Sequence, residues 1–125
     1  MSQLVRESCT LRFEEHEFVG FFGVIAPLDE DSVSYTYELR RDGMRLVFTA
    51  LPIEGVVSVH LYREGVSEPV VVLRAKDCTH SRFVNWGSLR CLEIGRPERP
   101  TREQSAPVAH GLRIFVDPHF KLDLI

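Results

Sequence analysis

The sequence predicts one predominantly β domain, an antiparallel sandwich or barrel of about eight or nine strands. Three observations carry that reading. Apolar side chains recur with a period of two, turn residues fall at short spacing, and helical periodicity is scarce. With 125 residues and 44% hydrophobic content the chain supports one core, so residues 1–125 are read as a single domain.

The first alternating segment places Cys9, Leu11 and Phe13 on one face, with Ser8, Thr10, Arg12 and Glu14 on the other. Phe18–Ile25 follows as an apolar run broken by Gly20 and Gly23, read as extended with a bulge or bend and closed by Pro27. In an extended run Phe21 and Phe22 point to opposite faces, which leaves an aromatic ring for the surface. Helix is expected only as a turn near Glu14–Phe18 and another within Arg102–Ala106.

The clearest element is a hairpin. Val33, Tyr35, Tyr37 and Leu39 alternate with polar residues, Asp42-Gly43 supplies a type I′ turn, and Leu46, Phe48 and Ala50 resume the alternation. A two-residue turn sets Arg41 against Met44, Leu39 against Leu46 and Tyr37 against Phe48, which keeps every apolar partner on one side. A second hairpin joins Val56–Arg63 to Val70–Lys76, with Val57, Val59 and Leu61 inward. Val70–Leu73 is apolar on both faces, the mark of a central strand. Short strands at Arg82–Trp86 and Arg90–Ile94 flank Gly87-Ser88. Residues 95–111, with three prolines, read as a long surface loop. Leu112, Ile114 and Val116 then alternate, Asp117-Pro118 turns the chain, and Phe120, Leu122 and Leu124 form the last strand.

The net charge of −3 argues against general nucleic-acid binding, which needs a basic face. Residues 1–62 carry −5 and residues 63–125 carry +2. The acidic excess gathers in Glu14, Glu15 and Glu17 and in Asp29, Glu30 and Asp31, a patch suited to a basic protein partner. No secretory pattern opens the chain, and no apolar run approaches the ~20 residues a membrane span needs. Cys9, Cys78 and Cys91 read as reduced and mostly buried, as in a cytoplasmic protein.

Motifs for chemistry are sparse. Asp77, Cys78 and His80 follow a strand and could supply a thiolate and an imidazole if they converged. The five histidines and three cysteines show no metal-binding spacing, so neither metal nor cofactor is expected. Asn85 and Trp86, with the 95–111 loop, would suit a small ligand or a sugar. The absent catalytic motifs and the uneven charge favour a non-catalytic protein-binding domain, for instance an immunity or antitoxin-like inhibitor acting by occlusion. A ligand-binding sandwich built on Asn85 and Trp86, and an enzyme centred on Asp77, Cys78 and His80, are the alternatives. The oligomeric state is left open.

Overall fold

The computed structural model describes residues 10–26, 28, 29, 31 and 33–125. Helix α1 (Glu15–Phe22) precedes a sheet of β1 (Leu28–Asp29), β2 (Ser34–Arg41), β3 (Met44–Leu51), β4 (Val56–Arg63) and β5 (Val71–Ala75). A second sheet holds β6 (His80–Trp86), β7 (Leu89–Arg96), β8 (His110–Phe115) and β9 (Lys121–Leu124). Each sheet is antiparallel and runs in chain order, β1-β2-β3-β4-β5 and β6-β7-β8-β9. A single core lies between them, built from Leu46, Phe48, Val57 and Val59 on one side and Leu92, Ile94, Leu112 and Ile114 on the other. Of the two architectures the sequence left open, sandwich or barrel, the fold is the sandwich.

The β2–β3 register is the predicted one, with Tyr37 opposite Phe48, Leu39 opposite Leu46 and Arg41 opposite Met44. Asp42 and Gly43 take φ of 53° and 72°, the positive pair that a type I′ turn requires. Val57 and Val59 are buried and Leu61 is half-buried, as the alternation in β4 indicated. Gly87-Ser88 connects β6 and β7 with Trp86 opposite Leu89.

Four expectations need correction. Phe18–Ile25 is not extended: most of it lies in α1, so Phe18, Phe21 and Phe22, at i, i+3 and i+4, all turn into the core. The helix ends at Gly23, whose φ of 76° fits the left-handed cap and whose N–H donates to the Val19 carbonyl. Residues 10–14 form no strand, because their backbone serves both sheets at once. Leu11 N–H donates to the Pro52 carbonyl, Arg12 N–H to that of Thr79, and the Arg12 carbonyl accepts the Ser81 hydroxyl. Ser8 and Cys9, assigned to that strand from sequence, lie outside the described residues. β5 is an edge strand rather than a central one. Finally, Gly95 and Gly111 belong to β7 and β8, and the connection spans 97–109, where Glu103–Ala106 makes only a turn.

Gly95 and Gly111 face each other across β7 and β8 so closely that a Cβ at Gly95 would lie 2.0 Å from the His110 carbonyl oxygen. Gly20 is the opposite case, an exposed mid-helix glycine with open space beside it. Gly20→Ala should raise stability by about 0.5–1 kcal/mol, whereas Gly95→Ala should lower it by about 3 kcal/mol or more. Denaturant unfolding of both variants checks the opposite signs.

Candidate partner-binding surface

The acidic clusters occupy one flank of the molecule. Glu14 stands at the start of α1, and Glu15 and Glu17 sit in its first turn, where the helix dipole favours negative charge. Their exposure follows from the helix repeat: burying Phe18, Phe21 and Phe22 leaves Glu15, His16 and Glu17 in solvent. The Phe13 ring lies 4.5 Å from Tyr35, and Tyr35 pairs with Leu28, so the start of the helix and β1 meet at the beginning of β2. Asp29 and Asp31 are exposed there, with the Asp29 carboxylate accepting the Asp31 N–H at 3.1 Å. Glu30 falls outside the described residues. Arg12 approaches Glu14 at 3.6 Å. Glu15, Glu17, Asp29 and Asp31 make no ion pair among the described residues. The sequence clusters, separated by the apolar helix face, are thus brought to one flank.

The other candidate sets do not converge. Cys78 is fully buried among the residues of the core. His80 lies on the outer face of the second sheet, where its Nε2–H donates to the Glu103 carbonyl and its Nδ1 accepts the Thr79 hydroxyl. That imidazole pins the 97–109 connection. Asp77 is exposed, with φ of 57° and Arg96 at 4.0 Å. The three side chains therefore point to the core, to a loop and to solvent, and the thiol needed for nucleophilic chemistry is sealed away. Among the described residues no group of three histidines, cysteines or carboxylates could hold a metal ion.

Asn85 and Trp86 are exposed at the tip of the β6–β7 hairpin. The 97–109 connection leaves from the other end of that hairpin, at Arg96, so loop and tryptophan do not form a shared pocket. Trp86, 54% exposed, instead lies beneath the Arg113 guanidinium, 4.4 Å from its ring centroid. Here the structure adds a feature that sequence reading missed. Arg82, Glu93 and Arg113 align across β6, β7 and β8. The Glu93 carboxylate, only 3% exposed, accepts from Arg82 at 2.9 Å on one oxygen and from Arg113 at 3.0 Å on the other. Both oxygens of a buried anion are thereby satisfied. Glu93 alternates with Leu92 and Ile94 along β7, and the strand register brings it to its two arginines.

Cys91 lies beside this group, on the outer face of β7 and fully buried. Burial, then the Glu93 charge, pushes its thiol pKa up, against the smaller opposing pull of Arg113 and Arg82. Neither Cys91 nor Cys78 is bridged.

No family model matches the sequence, and no curated protein matches it. A solved structure does resemble the fold. A chain of the contact-dependent growth inhibition toxin–immunity protein complex from Klebsiella pneumoniae 342 matches with a TM-score of 0.73. Identity is 15%, and the match covers 94% of this chain and 96% of that one. The likeness is one of fold. It spans both sheets rather than a shared supersecondary fragment. No described helix is long and apolar enough to cross a membrane.

Replacing Glu93 with Gln should strand the half-buried cations Arg82 and Arg113. The loss should fall near the lower end of the roughly 3–5 kcal/mol seen for broken buried pairs, because both arginines retain some water. Trp86 is the only tryptophan, so its emission should shift as Arg113 is released, and an unchanged spectrum would separate the ring from the Glu93 clamp. The unfolded Cys91 thiol ionises near pH ~8.5, while the folded thiol keeps its proton. Its stabilising contribution is thus complete below that pH and fades as pH rises toward the higher folded pKa. In Cys91→Ala the fall of melting temperature on the alkaline side should be shallower than in the parent.

Proposed function

We propose that this chain is an immunity-type inhibitor, which binds a protein toxin through its acidic flank and blocks the toxin's working surface by occlusion. The observation that carries this is a set of four exposed carboxylates, Glu15, Glu17, Asp29 and Asp31, with no cationic partner among the described residues. They sit on a fold shared over 94% of the chain with a component of a toxin–immunity complex.

Carboxylates without internal partners contribute little to folding, and each like-charged neighbour makes the flank slightly costlier to hold. A basic partner reverses that balance. Its positive surface would be drawn to the flank before contact, and the fixed helix start and β1 would present the carboxylates in one geometry. Glu14 would join them, its contact with Arg12 being exposed and weak. Inhibition by coverage needs no reactive group, which suits a domain whose Cys78 and Cys91 thiols are buried. Cys78 and Cys91, both unbridged, support a reducing, cytoplasmic setting, where an inhibitor would meet an incoming toxin.

Growth rescue tests the proposal. Cells producing a growth-inhibiting toxin domain that this chain binds should grow when the chain is co-expressed and stop when the chain carries Glu15→Lys, Glu17→Lys, Asp29→Lys and Asp31→Lys together. Association of the purified pair should slow by about tenfold or more in that variant, and added salt should slow the parent likewise. Failure of the parent to protect would reject the immunity role. Protection that survives all four reversals would reject the acidic flank as its means.

A further inference from the structure

The two open sides of the sandwich are closed unequally. At β2 and β6, α1 fills the gap, with Phe18 against Tyr37 in one sheet and Phe83 in the other. Between β5 and β9 no described element does the same. Leu61 and Leu73 pair with the core residues Leu46 and Val59 and so point inward, yet both are only half-buried. Leu122 and Leu124 stand opposite the buried Ile114 and Leu112, and Leu124 is 70% exposed. An open groove of about 570 Å³ runs between these strands, with Phe120 and the four leucines among its walls. Arg113 and Asp123 reach it from the outer face, where they oppose each other, and Arg113 is already held by Glu93 and Trp86. They form a lip rather than a floor.

One end of the groove changes character. A second cavity of about 400 Å³ shares Leu124 with the first, and Ala75 and Leu112 line it. Four cationic or ionisable groups from separate points of the chain gather around it. Arg74 comes from β5, Lys76 follows that strand, Arg96 ends β7 and His110 begins β8. Asp77 is the one acidic side chain of the described lining, and it approaches Arg96 only at 4.0 Å. Arg74 and Lys76 make no ion pair among the described residues.

We infer that this groove binds a fatty acid, with the hydrocarbon chain between the sheets and the carboxylate held by Arg74, Lys76 and Arg96. The order of surfaces is that of a single-chain amphiphile: apolar walls along the five residues of β5, about 16 Å, then cations at one end. Methylenes laid against Leu61, Leu73 and Leu122 would take from water the inward-facing side chains that the sheets leave half-covered. An extended peptide in the same place would turn its amides toward leucine and phenylalanine side chains, a cost that a hydrocarbon does not carry. At the far end, guanidinium groups can give a carboxylate two N–H donors each. Both cavities fall within the roughly 300–1,000 Å³ usual for small-ligand sites. The order β1-β2-β3-β4-β5 sends the acidic flank to the opposite edge, so the inference stands independently of the proposed inhibitory role.

Titration of the full chain with cis-parinaric acid, a fluorescent long-chain carboxylate, provides the test. The parent should bind one probe per chain and release it to laurate at submicellar concentration. Dodecyltrimethylammonium, with the same chain length and a cationic head, should displace the probe at least about tenfold less readily. Arg74→Glu together with Lys76→Glu should weaken probe binding by about tenfold or more, through loss of the charged contacts. Leu124→Glu should weaken it from the apolar side, at a position already exposed to solvent. Unchanged circular dichroism would show that these variants still fold. A parent that binds no probe overturns the inference, including the case in which the groove receives only a strand from another protein. So does binding indifferent to either variant, or displacement by dodecyltrimethylammonium as ready as by laurate.

Discussion

The two sheets are joined by the aromatic face of α1. Phe18 lies 6.1 Å from Phe48 in the first sheet and 5.3 Å from Phe83 in the second, with Phe13 tilted against it at 4.5 Å. Phe22 extends the contact to Tyr37 and Phe48, and Phe21 extends it to Phe83. Rings of this size each bury a large apolar area and gain further from offset and edge contacts. An eight-residue helix has little stability of its own, so α1 exists because this packing holds it. The acidic first turn inherits its position from the same packing.

What was legible in the sequence were the features written locally. The β2–β3 hairpin combines a two-residue turn with unbroken alternation, and its register follows from these alone. The misreading of Phe18–Ile25 has a physical cause: a short apolar run carries strand and helix periodicities together. The helical marks were nevertheless present. Three phenylalanines stand at i, i+3 and i+4, acids occupy the first turn, and Gly23 supplies the cap. β5 misled for another reason. Valines on both faces report an apolar strand, but its place in the sheet depends on whether the chain adds another strand beside it. After Ala75 it crosses to the second sheet instead.

The acidic residues were visible as composition, while their assembly was not. Glu14, Glu15 and Glu17 come to one flank with Asp29 and Asp31 because α1 turns its apolar face inward and β1 closes on β2. The Asp77, Cys78 and His80 cluster shows the reverse. Residues adjacent in sequence are separated by the crossing between sheets, which sends the thiol to the core and the imidazole to the outer face. The Glu93 clamp spans three successive strands, β6, β7 and β8, and its two ion pairs emerge only from their register.

The order of strands also bears on synthesis. Every pairing joins neighbours in the chain, so β1 to β5 can close as a meander while β6 to β9 are still being made. At that stage Phe18 and Phe21 have only one wall to rest on, and the backbone of residues 10–14 lacks its bonds to Thr79 and Ser81. The first half must therefore wait, partly greasy and exposed, until the ribosome delivers the second. Translation speed across the second sheet then becomes a variable in how much protein is lost to aggregation.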